Sequence, residues 1–175
     1  MRLEGFLLIA SLSMLSIPAT AWGAPLYSEM VVFGDSLSDT GNVQTASTAQ
    51  GLIPDPPPPY FDGRLSNGRI WVDRLAERLA IASPSPSLLG GTNYAYAGAK
   101  TSPGSRNRTS LVTREVLPIP NVGLQIGTYL SDHPAGFRKD QLVTLWAGAN
   151  DLVETRTAAD TQQSVDNRKR HLDPT

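Results

Sequence analysis

Apolar positions in this chain come in short groups, set apart by stretches rich in glycine, proline and small polar residues. Met30-Val31-Val32-Phe33 is an unbroken apolar run with β-branched residues, which predicts a buried strand. It breaks at Gly34 into the polar turn Gly34-Asp35-Ser36. Across 70–82, Trp71, Leu75 and Leu79 recur every fourth residue, with Val72 and Ala76 beside them and Asp73, Arg74, Glu77 and Arg78 opposite. That period predicts a helix with one buried stripe. Ser66 or Asn67 is placed to cap it, and Pro84 and Pro86 forbid its continuation. Leu88 to Gly98 predicts a short strand ending in a glycine turn, and Val122 to Leu130 a short amphipathic helix. Gln141 to Trp146 repeats the buried-strand pattern and ends in Ala147-Gly148-Ala149-Asn150-Asp151.

Between these groups the pattern is weak. Val43 to Leu52 is small and polar and reads as a loop with at most a short helical turn. Pro54 to Pro59 forces an extended path, most simply a stiff surface loop. Ser102 to Pro120 reads as a polar insertion, and Ser131 to Lys139 as a loop holding His133. Asn107-Arg108-Thr109 fits the N-glycosylation pattern, for which chance is the default reading. At the start, Arg2 precedes an apolar segment from Phe6 to Ile17, followed by small residues up to Ala24. The segment is too short to span a bilayer comfortably, and the layout is that of a secretory signal peptide cleaved near Ala21 to Ala24. Residues 1–23 are therefore set apart from the fold. Nothing after them is apolar enough to span a membrane.

Composition narrows the chemistry. At 175 residues the chain is long enough for one domain with a real core. A formal net charge of −1 gives no reason to expect nucleic acid or an anionic membrane surface as partner. There is no cysteine, which excludes disulfides, thiol catalysis and cysteine-based metal sites, though not export. Only His133 and His171 are available for histidine chemistry.

Ser36, just past a strand's carboxyl end, lies where an open α/β sheet places its ligand crevice. A serine there can be a nucleophile if a base takes its proton and fixed donors hold the oxyanion. Gly-Asp-Ser is also an ordinary turn sequence. The longer string Phe33-Gly34-Asp35-Ser36-Leu37-Ser38-Asp39-Thr40-Gly41-Asn42 resembles the first signature block of the GDSL lipase/esterase family, the SGNH hydrolases. Asn93-Tyr94-Ala95-Tyr96-Ala97-Gly98-Ala99 resembles the family's N-x-A-x-x-G-A block. Gly148-Ala149-Asn150-Asp151 resembles its G-x-N-D block. The blocks occur in the family's order, and the resemblance covers about Val31 to Leu152. Tyr60 to Arg69 is similar to the segment that joins the first block to the first long helix in many members.

The resemblance implies an α/β fold, a three-layer α/β/α sandwich with a parallel flavodoxin-like sheet. It implies a secreted or periplasmic serine esterase or lipase that cleaves a small-molecule or lipid ester through an acyl-enzyme. Ser36 is then nucleophile and, through its N–H, an oxyanion donor; Gly98 and Asn150 supply the other donors. No metal or organic cofactor is implied. Asp151 reads as structural. For Arg64 and Arg69, structural salt bridges are a simpler reading than binding of an anionic head group. Trp71 reads as core.

The family's last block, D-x-x-H, has no match. His133 is preceded at the required spacing by Leu130, and His171 by Arg168. From Glu154 onward apolar periodicity stops, so 154–175 reads as a disordered tail, leaving 24–153 as the amino-terminal part of a hydrolase domain. Truncation is the simplest account. It carries two expectations: negligible esterase activity alone, and a last strand whose apolar edge is bare. The rival readings are a degenerate, non-catalytic member and a flavodoxin-like binding domain for lipid or glycan esters.

Overall fold

A computed structural model of the chain describes residues 25–110 and 112–153. The expected leader and tail lie outside those residues. The elements run β1 (Glu29–Gly34), α1 (Asn42–Ala49), α2 (Trp71–Arg78), a 3₁₀ turn (Ser87–Leu89), β2 (Ser105–Thr109), β3 (Val116–Pro120), α3 (Val122–Asp132), β4 (Gln141–Trp146) and α4 (Ala149–Val153). This is a mixed α/β arrangement organised on parallel strands.

β1 is the centre. On one side it pairs in parallel with β4, from Glu29↔Gln141 to Gly34↔Trp146. On the other side the extended segment 92–96 runs parallel to it, through Val32 N–H to Thr92 O, Tyr94 N–H to Val32 O and Tyr96 N–H to Gly34 O. The strand expected within Leu88 to Gly98 is therefore in place, though its pairing is too sparse to form a regular ladder. β1 alternates its side chains between two faces. Met30 and Val32 pack with Val72 and Ala76 of α2, whereas Val31 and Phe33 pack with Tyr94 and with Tyr129 of α3. Helices thus cover both faces of the strand, as a parallel sheet requires.

Several elements differ from expectation. The predicted loop after β1 is a helix, α1. Its sequence is nearly devoid of an apolar stripe, so periodicity could not find it. What starts it is Asp39, whose carboxylate accepts the N–H groups of Gly41, Asn42 and Val43, satisfying donors that a helix start leaves open. α2 ends at Arg78 and not near Ala82. Ala80 takes φ 55°, and Ile81 N–H bonds Ala76 O while Ala80 N–H bonds Glu77 O. This is a Schellman close with alanine where glycine is the easy choice. Neither Ser66 nor Asn67 caps α2, because the helix starts too far downstream. Asp73 Oδ2 instead accepts the Ile70 N–H at 2.9 Å.

The polar insertion holds an antiparallel hairpin, β2–β3, with Arg106↔Ile119 and Arg108↔Leu117 in register. Leu117 and Ile119 join Val43, Tyr96, Ala97 and Ala99 in a buried cluster. α3 continues to Asp132, and His133 caps its end. Arg64 forms the structural ion pair expected of it. It is buried, and its Nε and Nη2 grip Asp73 at 2.8 and 2.7 Å. Arg69 lies 3.8 Å from Glu77 with both side chains exposed, a contact of little energetic weight. Trp71 is half-buried, its ring 5.6 Å from that of Trp146 and its Nε1–H donated to Ser38 Oγ. Among the described residues no helix is long and apolar enough to cross a membrane.

Candidate active site

The three sequence blocks sit in loops at the carboxyl ends of three neighbouring parallel segments: β1, 92–96 and β4. In a doubly wound sheet this is the edge at which ligand crevices form. Ser36 is two residues past β1, half-buried, in the turn that follows Asp35. The turn's start is fixed by close approach. A Cβ on Gly34 would collide with the Trp146 carbonyl oxygen, so only glycine fits there. The Gly34 peptide is also held by the Gln125 side chain of α3, which accepts its N–H and donates to its carbonyl, each at 2.9 Å.

Gly98 lies in the turn Tyr96-Ala97-Gly98-Ala99, closed by Ala99 N–H to Tyr96 O. Its φ is +90°, at the position where such a turn demands glycine. Asn150, in the first turn of α4, donates its Nδ2–H to Ala99 O at 2.9 Å. The second and third blocks are therefore in direct contact. Asp151 accepts both the N–H and the hydroxyl of Thr101, the structural part expected of it.

The first block is tied to the second by buried side chains whose roles the sequence alone did not reveal. Besides starting α1, Asp39 accepts the Ala97 N–H at 2.9 Å. Asn42 Nδ2 donates to the carbonyls of Asn93 and Ala95, and Asn93 Nδ2 donates to Ser38 O. Burial pushes the Asp39 carboxyl upward, and its four backbone donors pull the other way. Burial likewise pushes Asp35 upward, with the nearby Asp151 charge adding to it against the Leu37 N–H. Asp35 Oδ2 is buried and has no hydrogen-bond partner among the described residues. An acidic residue followed closely by small polar ones after a strand is a helix-start signal. That signal could have marked Asp39 as the start of α1, but nothing in the sequence marks its bond to Ala97.

The backbone donors at this edge are unevenly used. Asp35 N–H bonds Trp146 O, and Leu37 N–H bonds Asp35 Oδ1. Between them, the Ser36 N–H has no acceptor among the described residues. Ala97 N–H and Ala99 N–H are both engaged, and between them the Gly98 N–H is likewise open. Asn150 Nδ2 uses one hydrogen on Ala99 and has a second to give. Acyl-transfer chemistry in general uses open neutral donors of this kind to hold a developing oxyanion.

No described residue supplies a base to Ser36, whose hydroxyl makes no hydrogen bond among the described residues. His133 stacks on Tyr129 with ring centroids 4.3 Å apart, and its Nδ1 meets Tyr129 O. It lies two turns of α3 past Gln125, the residue level with Gly34, which is about 12 Å along the helix. Tyr129 OH bonds Gln141, at the start of β4. His133 therefore belongs to the opposite edge of the sheet. His171 lies outside the described residues. Among the described residues no cluster of three or more potential metal ligands occurs.

Comparison with known proteins agrees with the three blocks. The family model of the GDSL-like lipase/acylhydrolases matches residues 30–173, running on past Leu152, where the block-by-block resemblance ends. A phosphatidylcholine-sterol acyltransferase of Aeromonas hydrophila is 34% identical over 151 residues, covering 85% of this chain and 39% of its own length. A GDSL esterase/lipase of Arabidopsis thaliana is 31% identical over 173 residues, covering 87% of this chain and 48% of its own. Lipase 1 of Photorhabdus luminescens is 29% identical over 163 residues, covering 93% of this chain and 21% of its own. The chain spans less than half the length of these relatives. With a family match over most of its length, and with the matched blocks gathered at one sheet edge, the chain belongs to the GDSL-like lipase/acylhydrolase family of ester-hydrolysing enzymes.

Proposed function

We propose that this chain carries the nucleophile and oxyanion donors of a secreted serine esterase or lipase with a three-layer α/β/α sandwich. Ser36 Oγ attacks the ester carbonyl. Its proton passes to a base that is not among the described residues. The tetrahedral oxyanion is held by the N–H groups of Ser36 and Gly98 and by Asn150 Nδ2. Collapse expels the alcohol and leaves an acyl group on Ser36, which water or a second alcohol then removes. The observation that carries this reading is the open Ser36 and Gly98 N–H groups, each between engaged neighbours and each in a loop of the same sheet edge. The acyl donor is a carboxylic ester of small-molecule or lipid type. The Aeromonas relative's name supports including an alcohol among the acceptors.

Ester turnover is expected to be negligible, because no described residue serves Ser36 as a base and a serine hydroxyl near neutral pH is a poor nucleophile without one. In serine hydrolases of other folds, loss of the base costs on the order of a millionfold in turnover, while binding and oxyanion donors retain roughly a thousandfold over water. Two measurements test the reading. A fluorophosphonate reacts slowly with a serine that has no base, so under forcing exposure any adduct should form at Ser36 in preference to the chain's other serines, and Ser36→Ala should abolish it. A short-chain nitrophenyl ester should show no Ser36-dependent turnover. Turnover that disappears in Ser36→Ala would overturn the claim of inactivity. Equal labelling of all serines would overturn the active-site reading and favour a non-catalytic binder, the alternative to which the unactivated Ser36 hydroxyl points.

A further inference from the structure

The β2–β3 hairpin lies against the Gly98 turn, and two of its arginines reach it. Arg106 Nη1 donates to the Gly98 carbonyl oxygen at 3.0 Å. Arg108 lies across the other side of the same residue. A Cβ built on Gly98 would meet Arg108 Cδ at 2.9 Å and Cγ at 3.1 Å, so the arginine stem occupies the space where any side chain would stand. Arg108 is itself fixed. It is buried and forms an ion pair with Asp55, which is also buried. Asp55 is delivered by the proline-rich loop and anchored by its N–H to Ser47 Oγ at 3.0 Å. Three features otherwise unexplained, namely the polar insertion, the proline-rich loop and the buried Arg108–Asp55 pair, thus converge on one glycine.

A glycine peptide is the backbone unit that most needs such help. With no Cβ, Gly98 has wide conformational freedom, and a donor that wanders does not stabilise a transition state. Asp39 holds the Ala97 N–H, and Asn150 holds the Ala99 carbonyl. Those bonds fix the residues on either side of Gly98, while the Arg106 bond and the Arg108 stem act on Gly98 itself. We propose that the β2–β3 hairpin is a clamp on the oxyanion turn, with Arg106 and Arg108 as positioning residues for the Gly98 amide. The clamp rests on the proposed role of Gly98 as an oxyanion donor. It assigns the hairpin to transition-state geometry and not to substrate binding.

The test uses the chain as it stands, with a fluorophosphonate as probe. Arg106→Gln removes the carbonyl contact at the surface of the hairpin. Arg108→Ala combined with Asp55→Asn removes the arginine stem from Gly98 without leaving a lone buried charge. Arg108→Lys keeps stem and charge, and Thr109→Ala is a control on the same strand. In wild type the ¹⁵N order parameter of Gly98 should be about 0.85, falling below about 0.6 in the first two variants. Phosphonylation at Ser36, already slow in wild type for want of a base, should slow by a further factor of about ten, the loss falling in the maximal rate and not in saturation by the reagent. Arg108→Lys should recover most of the rate, and Thr109→Ala should match wild type. Unchanged Gly98 order and unchanged Ser36 labelling in a folded Arg106→Gln protein would overturn the clamp. A loosened Gly98 with undiminished labelling would instead overturn Gly98 as a donor, and the positioning role with it.

Discussion

β1 has two parallel neighbours, and they are held by different means. The 92–96 segment is drawn in by side chains. Asn42, Asn93 and Asp39 fasten it to the first loop, and Tyr94, Ala95, Tyr96 and Ala97 are all buried. β4 makes the fuller ladder yet stays bare. Val143, Leu145 and Trp146 are 41%, 56% and 52% exposed. Leu124, Leu130, Phe137 and Leu152 are also exposed. The contrast is sharpest in one register pair. Val31 is fully buried, and Val143, directly across from it, is not. Backbone pairing places a strand, but only packing and polar closure bury it. Among the described residues no strand pairs with β4 on the side away from β1.

The largest effect should come from the covered side. Asp39→Ala strips an acceptor from four backbone N–H groups, so urea unfolding should show a loss of about 3 kcal/mol or more. A loss near that of a surface substitution would mean the two sides of β1 are held alike. Next is the register pair. Val31→Ala should cost about 2–3 kcal/mol, and Val143→Ala under about 1 kcal/mol. Equal losses would show that Val143 is covered in solution, and sedimentation would then reveal whether a second copy covers it.

The smallest effect is spectroscopic. Burial pushes the Tyr94 and Tyr96 hydroxyls up to about 12, with the Asp132 charge adding to the first and a Ser87 hydrogen bond opposing the second. Both folded values exceed the ordinary value of 10.0, so the folded state holds these protons longer than the unfolded chain. Their contribution to stability is present below pH 10 and is lost as pH rises toward 12. Absorbance at alkaline pH should show a late-ionising component, and Tyr94→Phe and Tyr96→Phe should each lower it by one tyrosine. Late ionisation left undiminished by both changes would remove the evidence that burial on this side of β1 holds the Tyr94 and Tyr96 protons.

Much of this was legible in the letters. β1 and α2 announce themselves by apolar pattern, because each buries a face against something, and β4 shows the same pattern although most of its apolar side chains stay exposed. Ser36, Gly98 and Asn150 stood out through block resemblance, which sequence spacing alone would not have secured. α1 and the β2–β3 hairpin stayed hidden. Their residues are polar, and what holds them comes from far along the chain: Asp39 at the start of α1, and Asp55 and Gly98 beside the arginines of the hairpin.

Which segments are apolar and which block carries the serine follow from the order of residues, since hydrophobic period is a local property. The packed molecule was needed to show that His133 belongs to the far edge of the sheet, stacked on Tyr129, and that Asn150 reaches the Gly98 turn. Those facts depend on how parallel strands stack side by side. No short stretch of chain encodes that stacking.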